Sequence, residues 1–341
     1  MNKPQIIICI GTGGVGKTTL AAALGYKYAL ENKKTLLLTI DPSLRLASTL
    51  QIEKNNKIQR IKTLEDLELY GSIIEPEAVF NKFVEKAAEN KNIEGKIKAN
   101  QLYKELSTRL NSSQEFTSLV KLIDCNNSKE NYDVIILDTP PAQHIFDFLN
   151  APNKIKNLFN NKLAKVFTRE PTFGVTRLMS QGTQKLLQIL DKLTGKTFIE
   201  ELFLFFSSLK TIQEDITEKC VAAKDLLESS NTHFLLISGA DINNIEDAKV
   251  LSEEMKEHQY KLKQILFNKV APDWALTEPT DKSNSTQLDE IFDFYTLRSQ
   301  NCRTFSSQDC QVDILPEINN DLCNLEQIRS IVDRLVHIKI F

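Results

Sequence analysis

The sequence predicts an α/β fold, a doubly wound and mainly parallel sheet flanked by helices, with a helical insertion subdomain. Three observations point to it. Short apolar runs bounded by turn residues recur along the chain, the pattern of strands buried on both faces of a sheet. The first run leads into a glycine-rich loop and then into a stretch of good helix formers. Two long segments between runs are rich in Lys, Glu, Leu, Ile and Phe and poor in turn signals. At 341 residues the chain is longer than one minimal module and shorter than two full-sized enzymes, which predicts one large domain carrying an insertion.

In chain order, Gln5 to Ile10 is the first strand-like run. Gly11-Thr12-Gly13-Gly14-Val15-Gly16-Lys17-Thr18-Thr19 follows, and Leu20 to about Glu31 is rich in alanine and leucine, so strand, loop and helix open the fold. Thr35 to Ile40, Leu67 to Ile74 and Tyr132 to Leu137 repeat the strand pattern, and His233 to Ser238, Lys263 to Asn268 and Gln311 to Leu315 extend it. Strands separated by helices imply parallel pairing through right-handed crossovers. The predicted organisation is a single domain over 1–341, with its core at about 1–75, 131–141 and 231–341 and a helical subdomain at about 76–130 and 142–230. In that subdomain Ile199, Leu202, Phe203, Phe206 and Leu209 fall at helical spacing, a stripe that either covers the sheet or faces a partner. Asp273 to Gln287, rich in Thr, Ser, Pro and Asp, is predicted to be a mobile loop.

Charge and composition narrow the function classes. Lys and Arg total 42 against 45 Asp and Glu, a formal charge of −3. That lacks the basic excess of a dedicated nucleic-acid binder, so no nucleic-acid partner is expected. Hydrophobic residues make up 41% and charged residues 26%, values of a globular chain rather than a disordered one. No apolar run approaches the roughly 20 residues of a spanning helix. The N-terminus passes from Met1-Asn2-Lys3-Pro4 directly into a strand, without room for a signal peptide, so the expected location is cytoplasmic, with a peripheral membrane association as the alternative. Cysteines at 9, 125, 220, 302, 310 and 323 form no C-x-x-C pair and are expected to be reduced packing residues.

The chemistry is concentrated in the glycine loop. Gly11 to Thr18 satisfies G-x-x-x-x-G-K-[ST] and lies between a buried strand and a helix, the context of a P-loop NTPase. Its residue types follow from the ligand: glycines let backbone N–H groups surround a phosphate, Lys17 brings positive charge to the β/γ oxygens, and the Thr18 hydroxyl is a ligand for Mg²⁺. Gly11, Thr12, Gly13, Gly14, Val15, Gly16, Lys17, Thr18 and Thr19 are thus the expected ATP-binding residues. Two aspartates end strand-like runs, Asp41 in Thr39-Ile40-Asp41-Pro42 and Asp138 in Leu137-Asp138-Thr139-Pro140-Pro141. Ligands of open α/β sheets lie beyond the carboxyl ends of the strands, so Asp138 is the expected organiser of Mg²⁺ and Asp41 the expected water-positioning catalytic carboxylate beside Lys17.

These segments together resemble the arsenite-pump ATPase (ArsA) family, which includes the eukaryotic ATPase that targets tail-anchored membrane proteins. The resemblance rests on Gly13-Gly14-Val15-Gly16-Lys17-Thr18, Thr39-Ile40-Asp41-Pro42-Ser43 and Asp138-Thr139-Pro140-Pro141, and extends to Asn100-Gln101-Leu102-Tyr103, Ser113-Gln114-Glu115 and Phe267-Asn268-Lys269. It implies a Mg²⁺-dependent, ATP-hydrolysing dimeric switch that moves a helical subdomain toward a partner or cargo. Asp41 would act in switch I and Asp138 would open switch II, with Asn268 and Lys269 in the nucleotide site and Asn268 against adenine. Asn268 is otherwise read as a polar strand terminus.

Two departures from that family matter. Its loop carries a second lysine before the paired glycines, reaching the partner subunit's nucleotide; here that position is Thr12. A threonine carries no charge to the partner's γ-phosphate, which admits a catalytically weak regulatory subunit in a heterodimer with a lysine-bearing sister, alongside a self-sufficient homodimer. Arg45 is read either as a substitute charge or as a solvated helix residue. In switch II only His144 of a glycine–histidine pair is retained, as a relay or as a helix cap. A chaperone for membrane proteins or other hydrophobic clients is the remaining alternative, with the stripe around Leu202 to Phe206 as its binding face.

Overall fold

The computed structural model describes residues 3–40, 50–53, 55–63, 65–76, 78–79, 82, 114–139, 149–150, 215, 217–276, 286–305, 310–317, 325–335 and 338. The chain divides into two compact units, residues 1–75, 124–147 and 225–341 in one and residues 76–123 and 148–224 in the other. The first unit contains an eight-stranded sheet. Its strands are β1 (Gln5–Gly11), β2 (Thr35–Thr39), β3 (Gln59–Arg60), β4 (Leu69–Ile73), β5 (Val134–Asp138), β6 (Thr232–Gly239), β7 (Leu262–Asn268) and β8 (Gln311–Ile314). They lie in the order β3-β4-β2-β5-β1-β6-β7-β8, and every pair is parallel except β3 with β4. The helices among the described residues include α1 (Lys17–Leu30), α2 (Gln114–Asn126), α3 (Ile242–Glu257), α4 (Asp273–Leu276), α5 (Thr286–Arg303) and α6 (Leu325–Leu335).

Each apolar run found in the sequence is a strand, because a parallel sheet covered on both faces buries every residue of its central members. All five residues of β2 and all five of β5 are buried, and in β1 only Gln5 is not. β1 sits between β5 and β6, with Cys9 opposite Asp138 and Gly11 opposite Ile237. A Cβ on Gly11 would lie 2.1 Å from the Ile237 carbonyl oxygen, so only glycine ends this strand without displacing its neighbour.

α1 is enclosed as completely as the strands. Leu20, Leu24 and Tyr28 belong to one cluster with Ile7, Val134 and Ile136 of the sheet and with Ile328, Ile331, Val332 and Leu335 of α6. Its alanines at 21, 22, 23 and 29 are small enough for both layers to close on it. Its C-terminal half is also fastened by polar contacts: Lys27 Nζ donates to the Ile338 carbonyl at 2.9 Å, and Glu65 accepts from both the Tyr26 hydroxyl and the Arg329 guanidinium.

The observed elements differ from the sequence expectation in places with physical causes. α1 begins at Lys17 rather than near Leu20, so the last residues of the glycine motif are already its first turn. β3 was not expected; it is two polar residues in antiparallel pairing, too short to show a period. The expected loop from Asp273 to Gln287 is corrected at both ends: Asp273–Leu276 is helical, and α5 starts at Thr286. Asp273 accepts both Arg334 guanidinium nitrogens at 2.6 Å, and the Trp274 ring meets Phe292 and Tyr295 edge-on, contacts that outweigh the turn-forming composition. Residues 277–285 lie outside the described residues, as do the stripe from Ile199 to Leu209 and the segment Asn100 to Tyr103. Among the described residues no helix is long and apolar enough to cross a membrane. Cys9, Cys125, Cys220 and Cys302 are buried, as expected of packing thiols, while Cys310 is partly exposed.

Candidate functional site

At the carboxyl edge of the sheet, the ends of β1, β2, β5 and β7 converge on the start of α1, the position where open α/β sheets hold ligands. The chain leaves β1 through Thr12 to Gly16. Gly14 has φ 79° and Gly16 has φ 89° and ψ 21°, in the left-handed region where a side chain is disfavoured. Gly16 occupies the N-cap position of α1, where no side chain caps the helix and no acidic residue stands in the first turn. The first amides of a 14-residue helix and its positive dipole end are therefore turned toward the loop without a capping side chain.

Lys17 is the first residue of that helix and is 9% exposed. Its Nζ lies 4.0 Å from Oδ1 of Asp138, the fully buried last residue of β5. Register places Cys9 of β1 and Thr39 of β2 on either side of Asp138. The Thr39 hydroxyl donates to Asp138 Oδ2 at 3.0 Å, which turns Oδ1 toward the lysine. Beyond it, Thr139 donates to the Cys9 carbonyl from its hydroxyl at 2.8 Å and from its N–H at 3.3 Å, closing the end of β5 onto β1. Burial pushes the Cys9 thiol far above its ordinary range and the Asp138 charge pushes it further, against a smaller opposite effect of Lys17, so Cys9 is an inert thiol here.

Thr18 and Thr19 follow on the first turn of α1, both half-buried. Asn268, at the end of β7, donates from Nδ2 to the Val15 carbonyl at 2.7 Å, and its Oδ1 accepts from the Lys269 N–H at 3.0 Å. A Cβ on Gly16 would stand 2.7 Å from Asn268 Nδ2, so the amide also occupies the space beside the loop that a side chain would need. Thr12 donates from its hydroxyl to Asn244 Oδ1 at 2.9 Å. Asn244 drew no attention in the sequence. Its signal was the spacing Asp241-x-x-Asn244 at the start of a helix, a capping pattern that by itself points to no ligand.

The structure thus brings together Gly11 to Thr19, Asp138 and Asn268, with Lys269 adjacent at φ 57°. Asp41, Arg45 and His144 lie outside the described residues, and the chain after β2 is described as far as the buried Ile40. The arrangement offers backbone and ammonium donors to an anion. A threonine hydroxyl and a buried carboxylate beside them are hard oxygen donors of the kind a small divalent cation takes, usually together with phosphate and water. Among the described residues no group of three or more His, Cys, Asp or Glu is arranged to hold a metal by itself.

A family profile described as "Anion-transporting ATPase" matches residues 4–329. The chain is similar to a protein of Aquifex aeolicus carrying the name arsenical pump-driving ATPase 1, with 26% identity over 75% of this chain and 65% of the relative's length. It is similar to ATPase ASNA1 homolog 1 of Paramecium tetraurelia, with 22% identity over 96% of this chain and 90% of the relative. ATPase GET3 of Komagataella phaffii shares 24% identity over 84% of this chain and 81% of the relative.

Proposed function

Since the chain belongs to the anion-transporting ATPase family and is an ATPase by that membership, we propose that it is a Mg²⁺-dependent, dimeric ATP switch whose nucleotide site is built from Gly11 to Thr19, Asp41, Asp138, Asn268 and Lys269. The observation that carries this reading is the 4.0 Å approach of Lys17 Nζ to buried Asp138 below a helix start left without a side-chain cap. An ammonium and a carboxylate so placed can exchange their mutual contact for a phosphate and its cation, whereas a purely structural pair would have no reason to stand at an uncapped helix end.

In this reading the loop amides and Lys17 hold the β- and γ-phosphates and take up the charge that develops on the γ-phosphoryl oxygens. Thr18 and Asp138 would hold Mg²⁺, which would supply charge neutralisation at the phosphate oxygens. Thr39 keeps the Asp138 carboxylate turned toward the site. Asp41, two residues beyond the end of β2, orients the attacking water. Asn268 keeps the loop in shape through Val15 and lies next to the purine. Loss of phosphate relaxes the segments after β2 and β5, and the helical subdomain expected at about 76–130 and 142–230 moves and engages a partner or hydrophobic cargo.

One observation favours a second reading. Thr12 is neutral and its hydroxyl is engaged by Asn244 of the same chain, so nothing at that position carries charge toward a partner subunit. The chain would then be the weak, regulatory member of a heterodimer whose sister supplies a lysine. Steady-state ATP hydrolysis by the purified chain, with an Asp41→Asn variant and the oligomeric mass with and without ATP, separates the two. Turnover with an ATP-dependent dimer, together with an Asp41→Asn variant that binds ATP but does not hydrolyse it, supports the self-sufficient switch. Tight ATP binding without turnover or self-association supports the regulatory subunit. Failure to bind ATP at all overturns both.

A further inference from the structure

The loop between β1 and α1 is held on both sides by asparagine amides from distant elements, the end of β7 and the first turn of α3. On one side Asn268 Nδ2 donates to the Val15 carbonyl at 2.7 Å. On the other, the Thr12 hydroxyl donates to Oδ1 of Asn244, a residue 232 positions away. Between these two fastenings stand Gly13 and Gly14, both exposed and with nothing within 4 Å of where a Cβ would be. This pair is the freest backbone of the loop, and it is the part that must stop moving when a phosphate is enclosed.

Asn244 is itself held from every direction. Asp241 is the N-cap of α3 and accepts the Asn244 N–H through Oδ1 at 3.0 Å, while its Oδ2 accepts from Asn244 Nδ2. The Asn244 carbonyl accepts the Ser238 hydroxyl at 2.9 Å. A Cβ on Gly239 would stand 2.6 Å from Asn244 Nδ2, so glycine at the end of β6 is what admits the amide. Burial raises the Asp241 carboxyl, but the hydrogen bonds from Asn244, together with its own backbone N–H and the Arg298 charge, hold the group below its ordinary range. An ionised carboxylate can only accept, so the amide must present Nδ2 to Asp241 and Oδ1 to Thr12. The orientation of the acceptor seen by the Thr12 hydroxyl is therefore dictated by the helix cap.

We propose that Asn244 is a positioning residue of the nucleotide site, registering the phosphate loop onto the N-terminus of α3 through the Thr12 hydroxyl. The proposal rests on the reading of Gly11 to Thr19 as the nucleotide loop and adds to it a residue that touches no nucleotide. Its consequence is that loop and cap form one unit: a nucleotide that orders Gly13 and Gly14 finds Thr12 and Val15 already fixed, and the binding constant carries the strength of both fastenings.

The test is titration calorimetry of MgATP against the full chain and its Thr12→Val, Asn244→Ala, Thr12→Val/Asn244→Ala, Thr12→Ser and Lys17→Ala variants, with a melting curve for each. Thr12→Val and Asn244→Ala should each weaken binding about 3- to 10-fold, the range of one hydrogen bond, and the double variant no more than either single one. Thr12→Ser, which keeps the hydroxyl, should bind within about 2-fold of the unaltered chain. Thr12→Val leaves the α3 cap intact, so it carries the test even if Asn244→Ala folds poorly. If Thr12→Val binds like the unaltered chain, or the two effects multiply, Asn244 only caps α3 and the proposal is overturned while the loop assignment stands. If the unaltered chain does not bind MgATP, or Lys17→Ala binds it equally well, the loop assignment fails and the proposal fails with it.

Discussion

α1 and α5 belong to the same compact unit and are of comparable length, 14 and 18 residues, yet they treat apolar side chains in opposite ways. In α1 nearly every residue from Leu20 to Ala29 is buried, and even Lys17 and Lys27 are enclosed, each against a specific oxygen. In α5, Leu288, Ile291, Phe294 and Leu297 are 43–58% exposed and form a stripe at helical spacing, extended by half-exposed Trp274 of α4. The difference shows where the fold has committed its sequence. α1 is buried along its length from Leu20 to Ala29 and opens at its N-terminus onto the loop; α5 is anchored by Ser299, Cys302 and the Phe305 that follows, and leaves most of its surface to solvent.

The contrast can be broken hardest at the N-terminus of α1. Lys17→Ala should lower ATP hydrolysis by roughly 100- to 1,000-fold, as loss of one preorganised charge at a phosphoryl centre does, and equilibrium MgATP binding should fall with it. Retention of full turnover would remove the site from this helix. Next in size is packing. Leu24→Ala should cost about 3 kcal/mol of unfolding free energy, whereas Leu297→Ala on α5 should stay within about 0.5 kcal/mol, as chemical denaturation of the two variants can check. Equal losses would mean that the α5 stripe is covered in solution.

A smaller effect separates the helices by pH. Hydrogen bonds from Arg334 hold the Asp273 carboxyl, at the start of α4, below its ordinary range. A depressed folded value means that this pairing stabilises above the unfolded carboxyl value near about 4 and is lost as pH falls through the folded one. Asp273→Asn should therefore melt slightly lower than the unaltered chain at pH 7, by the amount of an exposed ion pair, and the gap should close as acid protonates the paired carboxylate. A gap that persists in acid would place the effect in helix capping instead. Smallest is a matter of rate. Among the described cysteines, partly exposed Cys310 should alkylate first, Cys302 later because burial raises its thiol to about 11, and Cys9 only on unfolding, an order readable by peptide mass analysis.

What could be read from the sequence was what is local in it. The Gly11 to Thr18 motif and the apolar runs of β1, β2, β5, β6 and β7 announce themselves within a few residues, because a phosphate loop and a doubly covered strand each restrict consecutive side chains. β3 left no trace, since two polar residues on an edge satisfy no period. The α4 helix was hidden because its cause is Arg334, 61 residues away in sequence. Asn268 was singled out as a base contact, and the structure adds a bond from its amide to the Val15 carbonyl that no motif records. Asn244 was not legible at all: only the sheet order, which sets β6 beside β1, brings it to Thr12.

The fastening of α1 to α6 also has a meaning during synthesis. Lys27 and the carbonyl it holds are 311 residues apart, and the leucines and isoleucines that cover the outer face of α1 come from the same late region. At roughly 5 to 20 residues per second, α1 leaves the ribosome some 15 to 60 s before its cover exists. For that interval a strongly apolar helix lacks the cover it has from α6, so a nascent chain is aggregation-prone, and in need of a holding chaperone, while its phosphate loop has already been made.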